Sequence, residues 1–289
     1  MTEQERLHFA LLGDPVHHSL SPGLHNAWFD DLGADATYLC LTYNGTGEEL
    51  AKSLIALRLS GCNLTTPLKE KILPHLASCG PDAIRSGAVN TVCVRDGDLH
   101  GYNTDVAGFK DSLGVHGPKL RGRAVLIAGA GGAARAVAIA CADLGATEIV
   151  FTNRTLQRAQ TLAQTMSATL PSVRWSAMSM ETGTLDASRV FLFVDATRAP
   201  QPPEKLQKLI QKTKTPCICF DLNYWRKSSV WSSIQTQQGL TFFDGRDMLL
   251  QQAVHAFRLF TGAEPDISIG RAVLAGAIPP APDTGTSHG

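Results

Sequence analysis

Ala124-Val125-Leu126-Ile127-Ala128-Gly129-Ala130-Gly131-Gly132-Ala133-Ala134-Arg135 is the stretch that decides how this chain folds. Its first five residues are small or branched and apolar, the composition of a buried strand. A glycine-rich turn follows at Gly129–Ala133, and a helical pattern runs from Gly132 to Leu144. A second apolar run, Glu148–Thr152, supplies the next strand. Strand, glycine turn, helix and strand in that order read as a dinucleotide-binding unit. Gly129 and Gly131 let the backbone turn tightly and approach a pyrophosphate, with Ala130, Gly132 and Ala133 completing the turn. The helix N-terminus adds N–H donors and the positive end of its dipole. Ala134, at the third glycine position, is small enough for close helix–strand contact. A packing turn without a ligand would use the same glycines, so the flanking strands and helix carry the reading.

The second strand ends in Thr152-Asn153-Arg154-Thr155, with Arg158 one helical turn later. An NAD-binding unit commonly places Asp or Glu here, to accept hydrogen bonds from the adenosine ribose. This chain has no carboxylate at that point and two guanidinium groups, which favours NADP(H) through its 2′-phosphate. The alternative is that Arg154 and Arg158 are solvated cations at a helix start, where the dipole opposes them.

Working outward, strand and helix signals alternate almost throughout, the pattern of an α/β protein with parallel sheets. Before the glycine turn come strands at Leu7–Leu12, Thr37–Tyr43 and Cys62–Thr65, and helices at Pro22–Leu32 and Glu48–Leu59. Pro67 opens a further helix. Ala88–Arg95 and Leu99–Tyr102 flank Asp96-Gly97-Asp98 as a β-hairpin. After the turn come strands at Val190–Val194, Cys217–Asp221 and Leu240–Phe243, then helices Met248–Thr261 and Ile267–Ala275. Val115–Gly122, with two glycines and a proline, has the composition of a crossing between domains. The tail from Ile278 is rich in Pro, Gly and Ser, the composition of a frayed terminus.

Composition narrows the function classes. The chain has 289 residues, enough for about two domains. Lys and Arg number 26 and Asp and Glu number 26, so charge gives no reason for a nucleic-acid partner or an anionic membrane surface. No apolar run reaches the roughly 18 residues of a membrane span. The N-terminus, Met1-Thr-Glu-Gln-Glu-Arg6, is unlike a secretory leader. Seven scattered cysteines read as reduced thiols of a cytoplasmic protein. Cys217 and Cys219 share one strand face, but no second pair completes a metal site, so none is expected.

Four short strings before residue 110 have the look of chemistry. His18-Ser19-Leu20-Ser21-Pro22 puts two hydroxyls beside a helix start, where they can hold a carboxylate or merely cap the helix. Asn63-Leu64-Thr65-Thr66-Pro67-Leu68-Lys69 ends a strand in polar groups. It places Lys69 in a first helical turn, where the dipole opposes a cation and suits proton transfer. An exposed lysine is the ordinary alternative. Gly87-Ala88-Val89-Asn90-Thr91 enters the hairpin and Gly101-Tyr102-Asn103-Thr104-Asp105 leaves it. Asp105 is either a site carboxylate or the cap of a helix over Val106–Leu113.

Taken in order, these strings together with Gly129-Ala130-Gly131-Gly132-Ala133 and Asn153-Arg154-Thr155 resemble the shikimate dehydrogenase family. Asp244-Gly245-Arg246-Asp247-Met248-Leu249-Leu250-Gln251-Gln252-Ala253 extends the resemblance to roughly residues 7–270. The resemblance implies an N-terminal α/β substrate domain (residues 1–105, completed by returning helices at 246–277). It also implies a Rossmann NADP-binding domain (residues 106–245) and a cleft between the two. It implies an NADP-dependent oxidoreductase that reversibly reduces 3-dehydroshikimate to shikimate, on the route to aromatic amino acids. Lys69 and Asp105 match the catalytic pair, and Ser19 and Ser21 the carboxylate holders. Thr65, Asn90 and Gln252 match ligands of the ring hydroxyls, with Asn63 in support and Tyr224 closing the site. Thr197 and Gly245 join the glycine turn and the arginines as cofactor contacts. A small-molecule substrate, no nucleic acid, no membrane, and a monomer or homodimer follow from the same likeness.

The resemblance frays in the cofactor half. Where the family usually has Asn-Ala-Thr, polar residues and a glycine, this chain has Asp195-Ala196-Thr197-Arg198-Ala199-Pro200. After Tyr224 the family tends to carry proline and then Thr-Pro, whereas here the run is Trp225-Arg226-Lys227-Ser228-Ser229-Val230. These changes leave open a paralogue acting on quinate, an amino analogue or another cyclic acid. A non-catalytic NADP-binding regulator is the rival from another class.

Overall fold

In the computed structural model, residues 6–213, 216–226, 231, 234 and 239–276 are described. The chain forms two compact units. The first comprises residues up to Ala83, then Ala88–Tyr102, and the chain from Ala253 onward; the second comprises Ile84–Gly87 and Asn103–Gln252. The Gly- and Pro-bearing stretch read as a crossing forms a 3-10 helix, Gly114–Leu120, inside the second unit. Lys227–Val230 and the tail from Ile278 lie outside the described residues.

The first unit is built on a six-stranded sheet of order β2-β1-β3-β5-β6-β4. Its strands are β1 (Leu7–Gly13), β2 (Ala36–Thr42), β3 (Gly61–Leu64), β4 (Ser78–Cys79), β5 (Thr91–Arg95) and β6 (Asp98–Tyr102). β1 pairs parallel with β2 and β3, whereas β3–β5 and β5–β6 are antiparallel. The sheet is therefore mixed rather than parallel, because a two-residue turn reverses the chain between β5 and β6. Asp96 and Gly97 both take positive φ there, 53° and 83°, the backbone of a tight hairpin turn.

Helix α1 (Ser21–Asp31) follows β1, and α2 (Gly47–Ala56) starts at a capping box made by Thr46 and Glu49. α3 (Leu68–Lys71) and α4 (Pro81–Ser86) are short. Trp28 and Phe29 of α1 are buried against Phe257.

The second unit carries six strands in the order β12-β11-β10-β7-β8-β9. They are β7 (Ala124–Ala128), β8 (Glu148–Asn153), β9 (Arg174–Ser179), β10 (Val190–Asp195), β11 (Cys217–Asp221) and β12 (Leu240–Phe243). All pairings are parallel. Numbered from β7, this is the doubly wound order with its switch point between β7 and β10, where such sheets bind ligands. Helices α5 (Thr104–Leu113), α6 (Gly132–Asp143), α7 (Leu156–Thr169) and α8 (Glu204–Lys212) belong to this unit. α9 (Gly245–Thr261) spans the division at Gln252, and α10 (Ile267–Gly276) packs on α1. β7 is buried along its whole length, as an apolar central parallel strand must be. Cys217 and Cys219 face one side of β11, in the apolar cluster with Phe193 and Trp231.

Candidate functional site

The cofactor turn is built as its glycines require. Gly129 has φ +120°, and a Cβ there would come within 2.8 Å of the Ala196 carbonyl oxygen. Glycine is therefore needed both for the turn and for the strand beside it. Gly131 is the N-cap of α6, and a Cβ on it would meet nothing within 4 Å. Open space beside a bare helix N-terminus, with no acidic residue in the first turn, fits a pyrophosphate. Ala130, Gly132 and Ala133 are partly exposed around it, and Ala134 is fully buried against the sheet.

At the end of β8, Asn153 bonds through its side-chain amide to the Thr155 carbonyl, 3.0 Å away. Thr155 is the N-cap residue of α7, but its hydroxyl caps nothing. Arg154 and Arg158 are exposed, and among the described residues neither guanidinium pairs with a carboxylate. α7 has no acidic residue in its first turn. Two uncompensated cations at a helix N-terminus are unfavourable alone, and a phosphate would offset both.

On the opposite side of the switch point the ends of β10 and β11 carry charge. Asp195 and Asp221 stand opposite one another in register, and both are buried. Arg226 bridges them through Nη1, at 2.6 Å from Asp195 Oδ2 and 3.0 Å from Asp221 Oδ2. Burial pushes the Asp195 carboxyl up, opposed by the Arg226 guanidinium. Thr197 donates to Asp195 Oδ1 through its amide at 2.9 Å and its hydroxyl at 2.7 Å. Its hydroxyl hydrogen is thus directed into the protein. Gly245 is buried at the start of α9, where a Cβ would strike the Leu222 backbone. Tyr224, partly buried, makes an edge contact with Trp225.

In the first unit, the polar strings gather where β1 and β3 end and β5 begins. Ser21 is the first residue of α1 and Leu20 is the N-cap, with no side-chain cap. The Ser21 hydroxyl is therefore not spent on capping. Ser19 Oγ donates to Ser21 Oγ and accepts from the Ser21 amide, both at 3.2 Å, which places the two hydroxyls side by side. Asn63 is buried and accepts from Tyr38 Oη at 2.7 Å. Its amide donates to the Asn90 carbonyl at 3.1 Å and to Thr91 Oγ1 at 2.9 Å. Thr91 Oγ1 donates in turn to Asn90 Oδ1 at 2.9 Å. The chain of donors fixes the Asn90 amide with its oxygen toward Thr91 and its N–H groups away from it. Thr65 is partly buried, with its methyl over Gly13, where a Cβ would collide with it.

Lys69 lies in α3, which is one turn long, so both helix ends are within its reach and the dipole no longer distinguishes its position. It is half-buried rather than fully solvated, and its carbonyl accepts from the Val89 amide at 2.8 Å. That bond ties Lys69 to the segment carrying Asn90. Asp105 belongs to the second unit. Helix α5 begins at Thr104, with Asn103 as N-cap accepting from the Asp105 amide at 3.1 Å. Asp105 is thus a buried carboxylate inside the first turn, not the cap. Gln252 is partly buried in α9, its amide donating to the Leu249 carbonyl at 2.8 Å. Gly108 lets α5 approach it, since a Cβ there would meet the Gln252 backbone.

The structure therefore gathers Ser19, Ser21, Asn63, Thr65, Lys69 and Asn90 in the first unit. Asp105, Tyr224, Gln252 and all the cofactor residues fall in the second. Sequence reasoning missed Tyr38 and Thr91 as partners of the Asn63–Asn90 network, and Arg226 and Asp221 as partners of Asp195. The only signal for the latter group was the paired departure at Asp195 and after Tyr224.

Comparisons with known proteins cover nearly the whole chain. Family models match at residues 11–92 (shikimate dehydrogenase substrate binding domain), 113–243 (shikimate / quinate 5-dehydrogenase) and 245–275 (shikimate 5′-dehydrogenase C-terminal domain). The shikimate dehydrogenase (NADP(+)) of Bacillus cereus strain AH187 is 36% identical over 263 residues, covering 90% of this chain and 94% of the relative. The crystal structure of the Thermus thermophilus shikimate 5-dehydrogenase with NADP(H) and shikimate superposes with a TM-score of 0.76. It is 37% identical, with 93% of this chain and 98% of that one covered. The quinate dehydrogenase of Corynebacterium glutamicum, solved with NAD, gives a TM-score of 0.80 at 26% identity, covering 94% and 99%.

Proposed function

Because the chain belongs to the shikimate dehydrogenase family, we propose that it is an NADP-dependent oxidoreductase that reversibly reduces 3-dehydroshikimate to shikimate. What carries the reading is a match along nearly the full chain to shikimate dehydrogenases, with the lysine and the aspartate that the chemistry needs both in place. The first unit supplies Ser19, Ser21, Asn63, Thr65, Lys69 and Asn90 to the substrate, and the second supplies the cofactor residues together with Asp105, Tyr224 and Gln252.

When bound, NADPH supplies the hydride that reaches the carbonyl carbon. The Gly129–Ala133 turn and the N-terminus of α6 hold the pyrophosphate, and Arg154 and Arg158 hold the 2′-phosphate, with Asn153 and Thr155 beside them. Ser19 and Ser21 hold the substrate carboxylate. Asn90, Thr65 and Gln252 bond the ring hydroxyls, Asn63 keeps Asn90 oriented, and Tyr224 shields the site. As the carbonyl electron pair moves onto oxygen, the Lys69 ammonium stabilises the charge and gives up a proton to it. By the family likeness, Asp105 is the acidic member of the catalytic pair and accepts from a ring hydroxyl. In the dehydrogenation direction neutral Lys69 takes the proton back. Thr197 and Gly245 shape the cofactor side.

We place the enzyme in the cytoplasm, as a monomer or homodimer. Its seven cysteines are free thiols, and burial raises those of Cys40, Cys93 and Cys217 to about 11. No helix among the described residues is long and apolar enough to cross a membrane.

The test is a spectrophotometric assay of reduced-cofactor formation with shikimate or quinate and with NADP⁺ or NAD⁺. Turnover should be most efficient with shikimate and NADP⁺. Higher kcat/KM for quinate would move the substrate assignment, and equal use of both cofactors would remove the role given to the arginines.

A further inference from the structure

The ends of β10 and β11 hold a buried charged cluster that the chemistry above does not use. Two carboxylates, Asp195 and Asp221, face each other in register on adjacent parallel strands. Like charges so placed repel strongly in a low-dielectric interior. Arg226 lies between them with its side chain 2% exposed. The guanidinium does more than neutralise. Its Nε donates to the Ala199 carbonyl at 3.1 Å, and its Nη2 donates to the same oxygen and to Thr197 Oγ1 at 3.4 Å. The planar fork thus ties the loop 195–200 to the end of β11 at several points. On the β11 side, Asp221 is held by the Asn223 amide at 2.9 Å and by the Trp231 indole N–H at 2.6 Å.

The same loop reaches the cofactor turn. Ala196 donates from its amide to the Ala128 carbonyl at 2.8 Å, and its own carbonyl lies where a Cβ on Gly129 would strike it. Whatever fixes the loop therefore fixes one wall of the switch point. The arginines that would read the adenosine end follow β8, so a bound dinucleotide would place its other half toward the ends of β10 and β11, across the switch point.

We propose that Arg226 is a positioning residue for the nicotinamide half of the cofactor, acting by clamping the loop 195–200 through Asp195, Thr197 and Ala199. The proposal rests on the NADP reading above. The loop has no glycine to yield to a ligand, so its backbone must be held in place by its partners. Asp195 and Arg226 are two of the positions at which the chain departs from the family pattern, and here they are bonded to each other.

The experiment measures dissociation constants by calorimetry for two ligands: NADP⁺ and adenosine 2′,5′-bisphosphate. The second carries the adenosine end and the 2′-phosphate but no nicotinamide. Arg226→Lys keeps the charge and loses the fork. It should weaken NADP⁺ by about three- to tenfold, the worth of a lost hydrogen bond, and leave the bisphosphate unchanged. KM for NADP⁺ should rise while KM for shikimate holds. Asp195→Asn, which preserves volume, should shift NADP⁺ affinity in the same direction by less, and it serves if Arg226→Lys does not fold. Equal weakening of both ligands, or of neither, would overturn the positioning role. Failure of the unmutated protein to bind either ligand would instead overturn the cofactor reading on which it rests.

Discussion

The two units bury polar groups at their strand ends in opposite ways. In the first, Tyr38, Asn63, Thr91 and Asn90 form a chain of neutral donors and acceptors. His25, stacked on Tyr38 with ring centroids 4.3 Å apart, is also neutral, since burial lowers its pKa to about 3. In the second, Asp195, Arg226 and Asp221 are charged. A neutral network can lose one member at the cost of a hydrogen bond, while a charged one leaves an unpaired ion behind. The charged cluster holds backbone, whereas the neutral network aims a single amide.

That contrast is sharpest in stability. Arg226→Ala should cost about 3–5 kcal/mol, the usual penalty for stranding a buried charge, read as a fall in the denaturation midpoint. A loss under about 1 kcal/mol would mean that the cluster does not depend on its cation. Acid should attack the neutral side. His25 binds a proton readily once unfolded, near its usual 6.5, but not in the folded state until about pH 3. Stability should therefore fall as pH drops through that window, by up to about 1.4 kcal/mol per pH unit. His25→Phe should flatten the slope, and an unchanged pH profile of the midpoint would count against it.

The remaining contrasts are smaller. Arg154→Ala should weaken NADP⁺ by about 1.5–3 kcal/mol, a lost charge-assisted contact, and leave NAD⁺ almost unaffected in the same titration. Parallel losses for both cofactors would remove the 2′-phosphate assignment. Tyr38→Phe should cost only about 1 kcal/mol in stability, yet raise KM for shikimate more than KM for NADP⁺. If the two constants rise together, the Asn63–Asn90 network does not aim at substrate.

Legibility in the sequence followed burial and periodicity. β7, buried throughout, and α6 could be read outright, as could the hairpin, because Asp96-Gly97 accepts positive φ on both residues. β9 could not: Arg174–Ser179 is an edge strand with exposed and half-buried positions and little apolar signal. The mixed pairing of the first sheet depended on which strand the hairpin joined, a tertiary choice. The helix-dipole setting inferred for Lys69 disappeared with the brevity of α3, and Asp105 turned out to be capped rather than capping. Ser19 and Ser21 were legible as a pair because their spacing is local. Arg226 was not, since its partner Asp195 lies 31 residues away and only the paired parallel strands bring them together.

Lys69 is the group that moves the proton in the proposed reaction. Steady-state kinetics of Lys69→Ala with shikimate and NADP⁺, with shikimate affinity measured separately by calorimetry, test it most directly. kcat should fall by about 10²–10⁴, the usual worth of a positioned acid–base group, with a much smaller change in shikimate affinity. Near-normal turnover in that variant would contradict it.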